Sequence, residues 1–181
     1  MSKQNFRVSL SISPYRMGFA AEGAAFTDGE RTARSAVELQ QLFNRHGATE
    51  MWVRINTRRS GNQHAVENAL ESLQIAAELN MPVNPELMCV GNYMDMARQD
   101  SVDFTDYPEI VLPRAWDDCS LEDMCAALQQ YGAIAAKDIL ATGCRVNVWD
   151  IGNETNFGFA GVSVGRKTAV NPKLEKADPM W

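Results

Sequence analysis

Hydrophobic and polar residues follow one another along this chain in an order that predicts strands separated by helices. Residues 6–12 alternate apolar and polar side chains with a period of two, which is typical of a half-buried strand. Three further apolar segments predict strands at 50–55, 87–90 and 146–151. Between these strands, apolar residues recur at helical spacing, which predicts helices at 33–45 and 63–79 and a third helix that begins at Ser120.

Residues at the ends of the predicted helices support these boundaries. Ser120 and Asp123 form a capping-box pattern, in which hydroxyl and carboxylate satisfy amides at a helix start. Gly47 and Gly143 follow the first and third helices, and Pro82 follows the second. The segments between the elements are predicted loops: a Gly- and Ala-rich stretch before Gly29 and an acidic stretch at 100–118.

Strict alternation of strands and helices predicts an α/β fold, a parallel sheet with right-handed crossovers. The 181 residues, of which 45% are hydrophobic, are predicted to form a single domain over 1–181. Two architectures fit this order: an open doubly wound sheet, or half of an eight-stranded TIM-type barrel with about four strands. The sequence contains neither a G-x-G-x-x-G turn after the first strand nor a P-loop motif, so nothing in it supports nucleotide binding.

Composition narrows the classes of partner. A net charge of -6 disfavours binding to nucleic acid or to an anionic membrane surface. The four cysteines lack C-x-x-C spacing, which predicts reduced thiols, and His46 and His64 are predicted surface residues. We therefore expect no metal and no cofactor. No secretory signal or membrane span is recognisable, which predicts a soluble protein that is cytoplasmic unless a leader was removed.

The candidate chemistry lies where the fourth predicted strand ends, at Asn153 and Glu154. In parallel α/β barrels the carboxyl ends of the strands form the active-site face. Glycoside hydrolysis uses a carboxylic acid that protonates the leaving oxygen, and a neighbouring amide can hold a sugar hydroxyl. The pair therefore indicates acid-base chemistry on a polar substrate. The alternative is that both side chains are solvated on a loop, with Glu154 a surface acid in an α/β domain of another function.

Residues 148–161 resemble the acid/base motif of glycoside hydrolase family 53, the arabinogalactan endo-β-1,4-galactanases of a large clan of retaining (β/α)8 glycosidases. Four other segments resemble this family in the same order, from about Gly23 to Gly161. They are Gly23–Phe26 with Gly29, Trp52–Asn56, Tyr93–Asp95, and Pro113–Trp116 followed by Ser120–Asp123.

The resemblance implies roles for particular residues. Glu154 would be the general acid/base, and Asn153 would bind the sugar hydroxyl beside the scissile bond. Arg54 would support the charge of the catalytic carboxylates, because its guanidinium stays cationic and its fork suits carboxylate oxygens. Trp116 would either stack against a sugar face or close the core.

Two positions after the third predicted strand are expected to contact the substrate, Asn92 and Asp95. Asp95 belongs to a tyrosine-x-aspartate segment that resembles the family. Asn92 stands where the family usually has a histidine, and residues 96–98 replace a Trp-rich stretch. These departures alter the substrate contact that determines galactan specificity.

The predicted four strands account for half of a barrel, which needs roughly 250 residues when complete. The resemblance implies that the nucleophile comes from a late strand, so no residue of this chain is assigned to it. We expect either the N-terminal part of a longer glycosidase or a half barrel that associates with another copy or domain through its open edges.

The sequence therefore predicts a protein that takes part in retaining hydrolysis of a β-galactan or arabinogalactan polysaccharide and that is inactive by itself. A carbohydrate-binding barrel fragment without turnover is the alternative.

Overall fold

The computed structural model describes residues 6–10, 12, 14–92, 94–95 and 98–163. Its helices are α1 Pro14–Ala21, α2 Ala36–Arg45, α3 Val66–Glu78 and α4 Leu121–Ala141, with two 3-10 turns at Trp116–Asp118 and Thr155–Phe157. Its strands are β1 Phe26–Thr27, β2 Thr32–Ala33, β3 Met51–Ile55, β4 Pro82–Leu87, β5 Met94–Asp95, β6 Arg98–Gln99, β7 Arg145–Val146, β8 Asp150–Ile151, β9 Gly158–Phe159 and β10 Val162–Ser163.

The central sheet is parallel. Strand β4 lies in its middle and pairs in parallel with β3 on one side and with β7 and β8 on the other. Helix α3 packs against β3 and β4, and α4 packs against α3. The predicted α/β fold is confirmed.

The two faces of the sheet differ in chemistry because successive side chains of a strand point to opposite sides. On β3, Met51, Val53 and Ile55 are buried and belong to the main core. Trp52 and Arg54 point to the other face and are half-buried. The face away from the helices therefore carries the polar side chains.

The first predicted strand is only partly formed. Ser9 makes an isolated parallel bridge to Glu50, and the amide of Leu10 donates to the carbonyl of Glu50 at 3.1 Å. The segment therefore runs beside β3 without reaching the length of a strand. Val8 and Leu10 are exposed, whereas Ile12 is buried in the main core, so apolar burial holds this segment only at its end.

The third predicted strand, 87–90, was wrong in its position, because the strand is β4, Pro82–Leu87. The two prolines of β4 masked it in the sequence, since a proline lacks the amide that a sheet uses. Cys89, the second residue after β4, has a φ of +54°, which turns the chain out of the extended conformation. Met88 and Val90 are buried in a small separate cluster with Met94.

The fourth predicted strand is interrupted by a bulge. Val83 pairs with Val146, and Glu86 pairs with Asp150. An interval of three residues on β4 therefore lies opposite an interval of four residues on the neighbouring segment, which has one extra residue. The backbone carbonyls of Val83 and Leu87 accept hydrogen bonds from the backbone amides of Asn147 and Gly152. Pro85 lies midway between Val83 and Leu87, so its backbone nitrogen also points towards the segment 147–152. Its missing amide therefore falls where the bulge already interrupts the ladder.

The helix predictions differ from the structure mainly at their starts. Helix α2 begins three residues later than predicted because Ser35 caps it, its hydroxyl accepting from the amide of Glu38 at 3.2 Å. The capping box of α4 at Ser120 and Asp123 is confirmed. The predicted loop before Gly29 contains α1 and the start of the β1–β2 hairpin, which was missed although Pro14 suits a first helical position.

The remaining structural expectations concern cysteines and membrane spans. All four cysteines lie within the described residues, and none forms a disulfide. Among the helices given above, none is long and apolar enough to cross a membrane.

Candidate functional site

Three charged residues form a row across the polar face of the sheet. Arg54 of β3 is in register with Glu86 of β4, which is in register with Asp150 of β8. Residues paired in a parallel sheet point to the same side, so their side chains are neighbours. Without the bulge, regular alternation from Val146 would turn Asp150 towards the helices. The bulge is therefore what places the third member of the row on this face.

Arg54 connects the row to the loop that follows β8. Its Nε donates to Glu86 Oε2 at 3.2 Å, and its Nη2 donates to Asn153 Oδ1 at 3.0 Å. The guanidinium carbon lies 4.8 Å from the ring centroid of Trp52, a cation–π arrangement that holds the planar group in place. These contacts fix the guanidinium on three sides.

Asn153 is held at both ends of its amide. Its Oδ1 accepts from Arg54, and its Nδ2 donates to the backbone carbonyl of Met94 at 2.7 Å. This ties the loop after β8 to β5. An amide oxygen accepts two hydrogen bonds and an amide nitrogen donates two, so the contacts to described residues leave each atom one position for a ligand.

Glu86 is the most buried carboxylate of this cluster, with 3% of its surface exposed. Burial raises its pKa, the nearby Arg54 opposes that effect, and Asp150 adds to it. Its second oxygen, Oε1, has no hydrogen-bond partner among the described residues. Glu86 was not among the predicted site residues, because the strand predicted nearest to it began one residue later. The alternation of Val83, Asn84, Glu86 and Leu87 around Pro85 was the signal that could have found it.

Glu154 lies at the exit of β8, three residues beyond Ile151, and is exposed. Its φ of +50° and the φ of +75° at Gly152 make a sharp turn there. A Cβ at Gly152 would lie 2.5 Å from Thr155 Cγ2 and 3.0 Å from the Phe159 ring, so only glycine fits. The turn presents the carboxylate of Glu154 at the carboxyl end of the sheet, next to Asn153 in the chain.

Two of the remaining predicted site residues, Trp116 and Asn92, make their contacts elsewhere. Trp116 is buried, donates from Nε1 to the carbonyl of Ala160 at 2.8 Å, and packs edge-on against Phe104. Of its two expected roles, it closes the core. Asn92 is exposed, and its carbonyl accepts from Asn56 Nδ2 at 3.3 Å.

Asn92 lines an open groove of about 590 Å³ beside Arg58 and Asp103. Asp95 forms the β5–β6 hairpin with Arg98, and its side chain lies outside the described part of the structure, as do Tyr93 and residues 96–97.

A cavity of about 250 Å³ adjoins Arg54 and is also lined by residues of α1 and α3. It is lined by Ile12, Arg16, Trp52, Val53, Arg54, Gln63, His64, Asn68, Ala69 and Ser72. His64, predicted at the surface, is half-buried in this lining, which corrects that prediction. Burial, and secondarily the charge of Arg54, lowers the pKa of His64 to about 4, so its ring is neutral at physiological pH.

Comparison with known proteins adds no relatives. No protein-family model matches the chain, and no curated protein matches it. The function must therefore be argued from the geometry. Within the described residues, no three His, Cys, Asp or Glu side chains are grouped as metal ligands.

Proposed function

We propose that this chain carries the acid/base side of a retaining glycosidase that acts on β-galactan or arabinogalactan polysaccharides. The observation that carries the proposal is the hydrogen bond between Arg54 and Asn153, residues 99 positions apart in the chain. It joins two strand ends at the carboxyl edge of a parallel sheet, which is where barrel enzymes place their active sites. Glu154 follows Asn153 directly at that edge.

The proposal includes half of a (β/α)8 barrel. Three observations support it: the chain segments follow one another across the sheet in sequence order, the helix-facing side is apolar, and the opposite side carries the charged row. In a barrel, that opposite side is the interior, and the strand ends form the substrate-binding rim.

In this mechanism Glu154 donates its proton to the glycosidic oxygen as the bond to the anomeric carbon breaks. Asn153 binds the adjacent sugar hydroxyl through the second hydrogen-bonding position of its Oδ1 or Nδ2. The first position of each atom is used by Arg54 or by the carbonyl of Met94. Arg54, kept in place by Glu86 and Trp52, keeps the amide in its orientation and lends positive charge to the site.

The nucleophile lies outside the chain in this proposal. Retaining hydrolysis needs a second carboxyl about 5–5.5 Å from the first, open to the anomeric carbon. Glu86 does not suit that task, because it is 3% exposed and its Oε2 is bonded to Arg54. The chain alone should therefore bind substrate without turning it over.

An external nucleophile tests the acid directly. With azide present, the chain should release phenol from a phenyl β-1,4-galactobioside, while azide bonds to the anomeric carbon from the α face and Glu154 protonates the departing phenolate oxygen, which leaves poorly without that proton. Glu154→Gln should lower this rate by roughly 10²–10⁴-fold, the usual contribution of a general acid. Glu109→Gln, which removes an exposed carboxylate from a distant loop, is the matched control and should leave the rate unchanged.

Phenol release and the α-azide product are followed separately by absorbance and mass spectrometry. Equal rates for the wild-type chain and Glu154→Gln would remove Glu154 from the acid role. Sugar binding without any azide-dependent release would favour the alternative, a carbohydrate-binding module. That alternative is supported by the exposure of Glu154 to solvent.

A further inference from the structure

The cavity beside Trp52 and Arg54 is lined by arginines, although the chain as a whole is acidic. The chain carries a net charge of -6, yet none of the described residues that line this cavity is an Asp or Glu. Arg16 and Arg54 both line it, together with the neutral ring of His64. The lining of the cavity therefore supplies two arginines and no carboxylate, while Glu86 pairs with Arg54 from outside the lining, and the guanidinium group suits a carboxylate ligand.

Arg54 keeps donors for a ligand in spite of its protein contacts. A guanidinium has five N–H donors, and the contacts to Glu86 and Asn153 use one each. The charge of Arg54 is felt in the cavity, because it contributes, after burial, to the lowered pKa of His64 in the same lining. An oxyanion in this position would therefore meet an ordered donor.

The same lining contains neutral polar groups that can form hydrogen bonds with hydroxyl groups of a ligand. The amide nitrogen of Gln63 lies 3.1 Å from His64 Nε2, and Gln63 Oε1 is buried without a partner among the described residues. Reversing the amide would leave the nitrogen without a partner instead. Asn68 and Ser72 add further polar atoms, and Trp52 adds an apolar ring.

Size limits the ligand to one ring. At about 250 Å³ the cavity is smaller than the roughly 300–1,000 Å³ of most small-molecule sites. We infer that it is a subsite for a single acidic sugar, a hexuronate whose carboxylate binds to Arg16 and Arg54 and whose hydroxyls meet Gln63 and Asn68. The inference rests on the proposed function in taking the ligand to be a sugar, and it makes the substrate an acidic galactan.

Binding of galacturonic acid, galactose and acetate to the wild-type chain tests this assignment. Galacturonate should bind at least roughly tenfold more tightly than galactose. Its carboxylate accepts a charge-assisted hydrogen bond from arginine, whereas the hydroxyl group of galactose at the same position makes a neutral one. The affinity of galacturonate should fall as salt is added, since Arg16 is exposed to solvent. Acetate should bind more weakly than galacturonate, because it lacks the hydroxyls.

The imidazole resonances of His64 provide a readout that is independent of turnover. A carboxylate in the cavity stabilises the imidazolium, so saturating galacturonate should move the pKa of His64 upward from about 4. Arg16→Gln should weaken galacturonate binding roughly tenfold and leave galactose binding unchanged. Arg34→Gln, at an exposed arginine outside the cavity, is the matched control and should change neither.

The outcomes separate this inference from the proposed function. Equal affinities for galacturonate and galactose, or a His64 resonance that galacturonate does not move, would overturn the subsite. Acetate binding as tightly as galacturonate would show a carboxylate site without sugar recognition and would also overturn it. Galacturonate binding that persists while azide-dependent cleavage is absent would leave the subsite standing and remove the glycosidase.

Discussion

At the residue scale, one buried ion pair organises the site. Arg54 and Glu86 have side chains that are 17% and 4% exposed, and their hydrogen bond links two neighbouring strands. A buried pair of this kind adds little stability over apolar residues of the same size, whereas losing one partner leaves an uncompensated charge. Its value to the molecule is therefore in orientation, because the second arm of Arg54 holds Asn153.

Removing Arg54 should expose this dependence. Arg54→Met should lower the free energy of unfolding at neutral pH by about 3–5 kcal/mol, because Glu86 stays buried without its cation. The double variant Arg54→Met/Glu86→Gln should recover most of that loss. Urea unfolding monitored by circular dichroism measures both, and a double variant no more stable than Arg54→Met would contradict this account.

The same ion pair makes the free energy of unfolding depend on pH, and the raised pKa of Glu86 sets the sign of that dependence. Its pKa is higher in the folded chain than its ordinary value of 4.5, so the folded chain binds the proton more tightly. The contribution of Glu86 to stability is therefore greatest below pH 4.5 and is lost as the pH rises through the raised pKa. In Arg54→Met this slope should steepen, and in Glu86→Gln it should disappear.

At the scale of elements, the turn after β8 decides whether Asn153 reaches Arg54. The apolar run 146–151 predicted a continuous strand, and the structure divides it by a bulge opposite Pro85. Sequence periodicity cannot show this, because a bulge depends on which residues of the neighbouring strand lie opposite. The capping box of α4, by contrast, was predictable because all of its atoms lie within four consecutive residues.

Gly152→Ala should disturb this turn. The new methyl group would lie 2.5 Å from Thr155 Cγ2 in a backbone conformation that already disfavours L-residues. We expect a loss of about 1–3 kcal/mol in unfolding free energy and weaker galactobiose binding, because Asn153 moves away from Arg54. Calorimetric binding and thermal unfolding measure the two effects.

Gly143→Ala is the matched control, since Gly143 has a φ of +78° and open space where the Cβ would stand. It should cost about 1–2 kcal/mol for the backbone alone and leave binding intact. Adding Thr155→Ser to Gly152→Ala removes the clashing methyl and should restore part of the binding. If Gly152→Ala binds galactobiose as tightly as the wild-type chain does, the turn at Gly152 is not needed to position Asn153 for binding.

At the scale of the whole molecule, the parallel sheet has two edges without a described strand beyond them. One is the segment around Ser9, with Val8 and Leu10 exposed, and the other is β8, with Ile151 54% exposed. Exposed apolar edge strands favour pairing with another chain. Because both edges run parallel to the same sheet, one edge of a copy can extend the other edge of a second copy, and we expect the chain to self-associate this way.

Ile151→Lys should weaken that association, since a lysine on an edge strand opposes pairing. Leu140→Lys is the matched control, because Leu140 is also 54% exposed but lies on α4. Sedimentation velocity over a range of concentrations should show the wild type and Leu140→Lys shifting to larger species while Ile151→Lys remains monomeric. Identical behaviour of the two variants would place any association elsewhere.

The sequence by itself determined the α/β alternation, the three long helices, the strand at 50–55 and the cap of α4. Each depends on contacts within a short stretch of chain, where periodicity and capping residues suffice. The sequence also placed Asn153 and Glu154 shortly after the end of an apolar run, and their role in catalysis stays a prediction.

Only the tertiary structure decided that Glu86 lies beside Arg54, that His64 lines a cavity rather than the surface, and that Trp116 closes the core. Each of these depends on register between strands or on packing of residues far apart in the chain. A register shift of one residue turns a side chain to the opposite face of a sheet, and no local pattern records which register the assembled core selects.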